Sequence, residues 1–349
     1  MTEQAFLTTV VGSMPKPTWL QEKLPLNTDN KQVHGKGADW RLSDEDLEAA
    51  QDDAVRLTLH DQGRAGIDIV SDGEQRRKSY VTYVTGRLEG FDYQTTAKKW
   101  TRNRRRLAEV GRCTGPVERR APIVDDDLRF ILAETERPTK ITLPGPMTVV
   151  DSTADEHYGD EREFALAVAA ALNAEARELD ALGAAVIQFD EPVFSRYPEK
   201  VADWGIEVLD RCLEGVDQAK TAVHICYSYP MPGVPRPIVD SYPVILAQLE
   251  KSKIDQLSLE FEASKLDPEL LRLCPSKTVM FGCIDNGTDA VEAPEQIAEK
   301  LLAAAQHLPP EQIQAAPDCG LVPLSMDVAR AKLRALVAGA ELARQRLGR

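Results

Sequence analysis

The stretch "AVHICYSYP", residues 222–230, places a histidine and a cysteine two positions apart among apolar residues. Side chains alternate across a β-strand, so His224 and Cys226 would point to one face and their apolar neighbours to the other. A second cysteine, Cys319, follows another short apolar run. An imidazole and two thiolates are ligands that suit Zn²⁺, so these three residues are candidate metal ligands.

A carboxylate could complete this ligand set. The run "DQLSLEFE" puts Glu260 and Glu262 on one face of a predicted strand, and either could bind the ion. Two thiolates and one carboxylate carry more negative charge than Zn²⁺ balances, so the ion would be a weak Lewis acid. Such an ion suits a substrate thiolate that must stay nucleophilic better than it suits water. We expect the carboxylate to leave when the substrate sulfur binds.

A structural role for each cysteine is the competing interpretation, because cysteine is among the most buried residue types. We interpret Cys212 and Cys274, in helical or loop context, as structural, and Cys283 could be either. The convergence of His224, Cys226 and Cys319 at strand ends favours a metal site for those three.

Two acidic motifs also follow apolar runs. They are "SDGEQRRKS", which contains Glu74, and "FDEPVF", which contains Asp190 and Glu191. Each could be a cap or a turn, but a position at a strand end favours a role for Glu74 and Asp190 in holding a cationic group of a substrate. Glu191 and Asp285 are weaker candidates for groups that support the metal ligands or face a second substrate.

The elements that would position these residues follow a βα rhythm, which predicts an α/β fold, a (β/α)₈ TIM barrel with its active site at the carboxyl ends of the strands. Longer segments of helical periodicity separate the runs, notably residues 43–66, 161–183, 293–308 and 325–348. Eight short apolar or β-branched runs are the predicted strands: residues 7–13, 67–74, 140–146, 184–192, 220–228, 255–262, 278–287 and 313–320.

Two regions depart from this rhythm. Residues 21–45 are polar and predict a loop, and residues 79–137 predict a hairpin insertion after the second strand. The basic cluster 98–106 within it is interpreted as a solvated face, with a docking patch for an anionic cofactor tail or partner as the alternative. We therefore predict one zinc-binding catalytic barrel over residues 1–349, with the insertion 79–137 inside it.

The charge balance limits the partners. Among 349 residues, 56 acidic and 42 basic side chains give a net charge of −14, which argues against nucleic acid or an anionic membrane as a partner. The sequence contains no signal-peptide pattern and no apolar stretch of membrane-spanning length, so a cytoplasmic location is expected. Six irregularly spaced cysteines do not predict a disulfide framework.

The ordered motifs "TTVVGSMPKP", "SDGEQRR", "LPGPMT", "IQFDEP", "VHICYS", "DQLSLE" and "PDCGL" resemble the catalytic C-terminal barrel of cobalamin-independent methionine synthase, over about residues 7–340. The resemblance implies zinc-dependent methyl transfer to the sulfur of homocysteine. It implies Glu260, rather than Glu262, as the carboxylate ligand beside His224, Cys226 and Cys319.

The same resemblance implies a homocysteine site. Asp190 and Glu74 match the residues that bind the amino group, and Val11, Gly12 and Ser13 match the segment that holds the carboxylate.

Three departures from the family pattern bear on the methyl donor. The second, N-terminal barrel of the long enzymes is absent here, Ser152 or its neighbours replace a folate-binding tryptophan, and "GCIDNGTDA" lacks a loop histidine. The chain is most similar to the short single-barrel methionine synthases. We expect homocysteine binding with methylcobalamin or a partner-supplied methyl group as donor, rather than methyltetrahydrofolate polyglutamate.

Other zinc or barrel proteins remain alternatives at this point. Epoxyalkane:coenzyme M transferases use a similar zinc pattern, and Arg76 or Arg77 could bind the sulfonate. A non-catalytic zinc-binding barrel is a second alternative. A barrel of the uroporphyrinogen decarboxylase type would leave His224, Cys226 and Cys319 without a role.

Overall fold

A computed structural model describes residues 4–22, 39–229, 236 and 238–348. Most of the predicted polar loop 21–45 therefore lies outside the described residues. Within the described part, nine strands form: β1 (Glu89–Thr101), β2 (Arg106–Glu118), β3 (Lys140–Pro144), β4 (Thr153–Asp155), β5 (Val186–Asp190), β6 (Lys220–Ile225), β7 (Gln256–Leu259), β8 (Thr278–Ile284) and β9 (Ile313–Pro317).

Six of these strands form one parallel sheet in the order β3-β5-β6-β7-β8-β9. Two further segments complete the ring through single parallel bridges, Thr8 to Ala315, Thr9 to Ile69 and Val70 to Thr139. These are the first two of the eight predicted strands, each reduced to a few bonded residues. The predicted (β/α)₈ barrel is confirmed, with eight parallel segments around one axis.

Ten α-helices alternate with the strands along the described part of the chain. They are α1 (Asp44–Ala65), α2 (Tyr80–Thr85), α3 (Asp125–Glu134), α4 (Pro146–Asp151), α5 (Glu161–Leu182), α6 (Pro198–Lys200), α7 (Ile206–Cys212), α8 (Tyr242–Leu249), α9 (Pro294–Ala304) and α10 (Met326–Arg346). Among the described residues, none of them is long and apolar enough to cross a membrane.

Local capping explains where the long helices begin and end. α5 starts because the Asp160 side chain accepts a hydrogen bond from the Glu163 N–H, and it stops at Gly183, whose φ of 97° is left-handed. α10 starts with the same bond from Val328 N–H to Ser325. The predicted helices at 43–66, 161–183, 293–308 and 325–348 all form, with ends shifted by a few residues.

The predicted insertion is a long antiparallel hairpin of β1 and β2, and β4 adds in parallel to β2. Its four-residue tip, residues 102–105, turns back over the barrel mouth. Arg102, Asn103 and Arg104 all have φ near 55–60°, which L-residues adopt only in tight turns.

Candidate metal centre and substrate cavity

Adjacent strands bring the predicted histidine and carboxylate together. In the parallel register of β5 and β6, Asp190 lies opposite His224. Asp190 Oδ1 is 3.0 Å from His224 Nδ1, and it also accepts a hydrogen bond of 2.8 Å from Gln188 Nε2. A carboxylate on one ring nitrogen fixes the tautomer and leaves the other nitrogen as the ligand atom.

His224, Cys226 and Cys319 converge at the barrel mouth, as the sequence predicts. One ligand atom from each lies within 4.8 Å of the other two, and all three side chains are buried. No described residue forms a hydrogen bond with His224 Nε2, although the atom is buried. A buried nitrogen without a partner beside two thiols fits a metal ion with nitrogen and sulfur ligands.

The two thiols are linked to each other. Cys319 Sγ donates to Cys226 Sγ at 3.8 Å. This bond, helped by the positive charge of a protonated His224 and a backbone N–H from Ser228, lowers the pKa of the Cys226 thiol well below its ordinary value despite burial. Cys226 is thus prepared to be a thiolate, which is the form that binds metal.

Glu260 lies near this cluster but does not join it. Its carboxylate accepts a hydrogen bond of 2.9 Å from Tyr227 N–H and forms a two-oxygen ion pair with Arg236. Burial raises the pKa of Glu260, and the hydrogen bond from Arg236 opposes that rise. The structure therefore brings three of the four predicted ligands together and gives the fourth another partner.

A cavity opens beside the three ligands at the barrel mouth. Its lining includes every residue predicted to bind substrate: Val11, Gly12, Ser13, Glu74 and Asp190. A sulfur atom near the thiols and an amino group near the two carboxylates could therefore occupy one cavity.

A strained turn aims Glu74 into this cavity. Gly73 and Glu74 both have left-handed φ angles, 58° and 55°, and a Cβ on Gly73 would come within 2.8 Å of Met14 and Thr58. The Asp72 carboxylate accepts from Glu74 N–H at 3.0 Å and stabilises the turn. A left-handed non-glycine residue costs about 1–3 kcal/mol, a pattern that clusters at functional sites.

The Glu74 carboxylate is already hydrogen-bonded. Ser13 Oγ donates to one oxygen, and Thr142 Oγ1 donates to the other at 2.9 Å. Burial raises the pKa of Glu74, with Asp190 adding repulsion and Arg77 opposing the rise. A cationic group in the cavity would stabilise the ionised form of both carboxylates.

Glu191 and Asp285 do not line the cavity, and their roles as supporting or donor-side groups stay predictions. The Glu191 carboxylate accepts hydrogen bonds from Met147 N–H at 2.8 Å and from Thr148 N–H at 2.9 Å, which caps α4. Asp285 accepts from Gly287 N–H at 2.7 Å in the turn after β8. Both side chains hold loops in shape.

Arg76 and Arg77, the two arginines that could have bound the sulfonate of an alternative substrate, do not line the cavity either. Arg76 pairs with Asp52 and Asp127, and Arg77 lies buried beside Asp72 and donates to Thr142. Neither is part of the cavity lining.

Sequence reasoning missed several lining residues: Tyr80, Arg102, Pro192, Ser228, Tyr229 and Gly320. Arg102 belongs to the basic cluster 98–106 that we interpreted as a solvated face, and for this residue that interpretation is wrong, because its side chain lines the cavity. Lys99 in that cluster is also turned inward, donating to Val150 O at 2.6 Å and Thr153 O at 2.8 Å. The sequence carries no signal for the direction in which a hairpin folds.

Comparison with known proteins agrees with this geometry. The family model described as the catalytic domain of cobalamin-independent synthase matches residues 6–342. A methionine synthase from Sulfurisphaera tokodaii is 32% identical over 342 residues, 97% of this chain and 93% of that protein. A methionine synthase from Saccharolobus solfataricus is 31% identical over 345 residues, 98% of this chain and 96% of that protein.

Two solved structures are similar to this chain over nearly its whole length. A B12-independent methionine synthase from Shewanella sp. W3-18-1, in complex with selenomethionine, is 40% identical with a TM-score of 0.89, covering 99% of each chain. A putative vitamin-B12-independent methionine synthase from Listeria monocytogenes has the same fold, with a TM-score of 0.71, 18% identity and coverage of 97% of this chain and 98% of that one.

Proposed function

Since this chain belongs to the cobalamin-independent methionine synthase family, whose members transfer a methyl group to homocysteine, we propose that it performs this reaction with a zinc ion at the barrel mouth. The cluster of His224, Cys226 and Cys319 beside the cavity is the observation that carries the proposal.

Zinc is the metal that we propose because its preferred ligands are imidazole nitrogen and thiolate sulfur. The orphaned Nε2 of His224 and the adjacent thiols of Cys226 and Cys319 fit such an ion. When bound, zinc would lower the pKa of the homocysteine thiol and hold the sulfur as a nucleophilic thiolate. Asp190 would keep the His224 ring in the orientation and tautomer that binding requires.

Glu260 is proposed as the fourth, exchangeable ligand. Its ion pair with Arg236 gives the carboxylate a stable partner while it is away from the metal. A ligand with two alternative partners can leave at small cost when homocysteine binds.

Homocysteine would bind with its amino group between Glu74 and Asp190, beside the segment Val11, Gly12 and Ser13. The selenomethionine complex of the Shewanella relative supports a ligand of this size and class. The thiol would release its proton to solvent before transfer, and the donor would keep the electron pair of the bond that it loses. The sulfur electron pair then forms the new S–CH₃ bond as the bond between the methyl group and its donor breaks.

For the donor we propose methylcobalamin or a partner-supplied methyl group rather than folate polyglutamate. The segment that replaces the folate-binding tryptophan contributes no exposed aromatic surface, since Ser152 is 4% exposed and Thr153 is fully buried under the hairpin. The turn after β8 also lacks a histidine.

Turnover of the zinc-loaded protein tests the proposal. Homocysteine is offered with methylcobalamin and with methyltetrahydrofolate in parallel, and a Cys319→Ser variant serves as the blank. Methionine from methylcobalamin alone supports both parts of the proposal, and methionine from methyltetrahydrofolate would refute the donor assignment. No methionine from either donor, nor with added cell extract as a source of partner proteins, would refute the function.

A further inference from the structure

The hairpin tip is anchored to the barrel mouth. Arg102 N–H donates to both carboxylate oxygens of Asp151 at 3.2 and 3.1 Å. Asn103 N–H donates to Tyr197 Oη at 2.5 Å, and the Asn103 amide donates to Arg196 O at 3.1 Å. These bonds fix the backbone of the tip, so the Arg102 side chain enters the cavity from a defined position.

The Arg102 guanidinium is only partly satisfied there. It forms a hydrogen bond with Tyr80, another cavity residue, and its Nε lies 3.9 Å from an Asp151 oxygen. Its Nη1 is buried and has no hydrogen-bond partner among the described residues. An arginine remains charged at any ordinary pH, and a buried donor without a partner is costly, so a ligand that accepts from Nη1 would be favoured.

The charges in the cavity identify that ligand group. Among the described lining residues, Arg102 is the sole lysine or arginine, whereas Glu74 and Asp190 are acidic. Arg77 and Lys16 act electrostatically on Glu74, but neither lines the cavity. An amino-acid substrate carries both charges: its ammonium matches the two carboxylates, and its carboxylate matches a guanidinium, which can bind both oxygens at once.

We propose that Arg102, positioned by the hairpin tip, binds the α-carboxylate of homocysteine in addition to the segment Val11, Gly12 and Ser13, and selects amino-acid thiols over thiols that lack this group. The proposal rests on the proposed function, because it assigns a further binding residue to the same substrate. The insertion thus completes the substrate site, in addition to covering the barrel.

Binding of the product tests this inference without a methyl donor. Isothermal titration calorimetry of the zinc-loaded protein compares L-methionine with 3-(methylthio)propylamine, which is methionine without its carboxylate. The Kd of wild type for methionine is expected to be about 10- to 100-fold lower than its Kd for the amine, because a hydrogen bond between charged groups typically contributes this much to affinity. Arg102→Gln should lose about this factor for methionine and almost nothing for the amine, and Arg102→Lys should recover part of it.

Two controls separate binding from structure. Arg104→Gln removes an exposed arginine from the same tip and should change neither affinity. Asn103→Ala weakens the tip contact with Arg196, which positions Arg102, so it should lower the affinity for methionine in part and leave that for the amine almost unchanged. Circular dichroism of each variant checks its fold.

The possible failures are distinct. If wild type binds methionine and Arg102→Gln keeps the full preference over the amine, the carboxylate assignment is overturned and the proposed function stands. If wild type binds neither compound, the homocysteine site itself is refuted, and both proposals fall.

Discussion

At the residue scale, the two thiols at the barrel mouth differ from the other cysteines in what surrounds them. Burial raises the pKa of Cys113 to about 11 and that of Cys274 to about 12, so these thiols stay protonated. Cys226 is equally buried, yet the hydrogen bond from Cys319 and the adjacent His224 lower its pKa. The same hydrogen bond raises the pKa of Cys319, so neighbouring groups, rather than exposure, divide the pair into one acidic and one protonated thiol.

Cys226→Ser and Cys319→Ser are each expected to reduce bound zinc to less than about a tenth of an equivalent and to abolish methyl transfer, because a hydroxyl is a poor zinc ligand. Metal analysis of the purified proteins measures the zinc content per chain. Added zinc should raise the Tm of the wild type and leave the Tm of both variants unchanged. Cys283→Ser is the matched control: Cys283 Sγ donates to Ala316 O, which a hydroxyl can also do. Full zinc in both site variants would contradict the ligand assignment.

Glu74→Gln is expected to raise the KM for homocysteine by about 10- to 100-fold, with a smaller change in kcat, because it removes a charge opposite the substrate ammonium. Steady-state kinetics at saturating methyl donor measure the two constants separately. Glu262→Gln is the control, since Glu262 pairs with Lys265 and Lys300 and does not line the cavity. An unchanged KM in Glu74→Gln would remove Glu74 from the amino-group site.

At the element scale, the loops at the carboxyl ends of the strands are held by buried carboxylates. Asp318 accepts hydrogen bonds from Phe261, Glu262 and Ala263 N–H at 2.6–2.9 Å, which ties the loop after β7 to the residue that precedes Cys319. Glu191 does the same for the start of α4. These acidic side chains stabilise the platform on which the cavity is built, although their sequence positions resemble those of catalytic residues.

Tyr197 is one of the residues that anchor the hairpin tip. Tyr197 Oη accepts from Asn103 N–H and donates to Asp151 Oδ1 at 2.8 Å, so Tyr197→Phe should loosen residues 102–105. We expect faster trypsin cleavage after the arginines of the tip and weaker methionine binding, with a stability loss of about 1 kcal/mol. Timed proteolysis followed by mass spectrometry locates the cuts.

Tyr158→Phe provides the comparison for that experiment, because Tyr158 Oη accepts from Val117 N–H at the other end of the hairpin. It should leave cleavage at the tip unchanged. Equal cleavage of wild type and Tyr197→Phe would show that the tip is held by other contacts.

At the scale of the whole molecule, the barrel interior contains a buried lysine. Lys140 on β3 is fully buried, and its Nζ is 3.5 Å from Met280 Sδ on β8. Burial lowers the pKa of Lys140 to about 7 from 10.5, although the negative charge of Asp190 raises it somewhat. The folded barrel therefore favours the neutral amine.

Lys140 makes stability depend on pH. Between pH 7 and 10.5 the unfolded chain keeps a proton that the folded chain has lost, so the free energy of unfolding should rise with pH, by up to about 1.4 kcal/mol per unit. Below pH 7 the folded state carries the full cost of a buried charge. Lys140→Met should raise stability near pH 7 and flatten this dependence, as urea unfolding at several pH values would show.

Lys277→Met is the control variant for the urea unfolding of Lys140→Met. Lys277 is also buried, but its ammonium donates to Ser252 O at 2.8 Å and Ile254 O at 2.9 Å. Removing it leaves two carbonyls without their donor, so we expect destabilisation. A pH profile of Lys140→Met identical to that of wild type would exclude Lys140 as the source of the dependence.

The sequence by itself determined the barrel and most of the site. Strand alternation and the βα rhythm depend on short-range patterns, and the ends of parallel strands must meet at one rim, so His224, Cys226 and Cys319 could be predicted to converge. The same reasoning placed Glu74 and Asp190 beside them.

The tertiary structure alone decided the partners of individual side chains. Glu260 pairs with Arg236, Glu191 caps α4, and Arg102 turns into the cavity. Each outcome depends on contacts between segments far apart in the chain, such as the hairpin tip against Asp151 and Tyr197. Residue type and local periodicity do not predict those contacts, because the contacts form only when the insertion folds back over the barrel mouth.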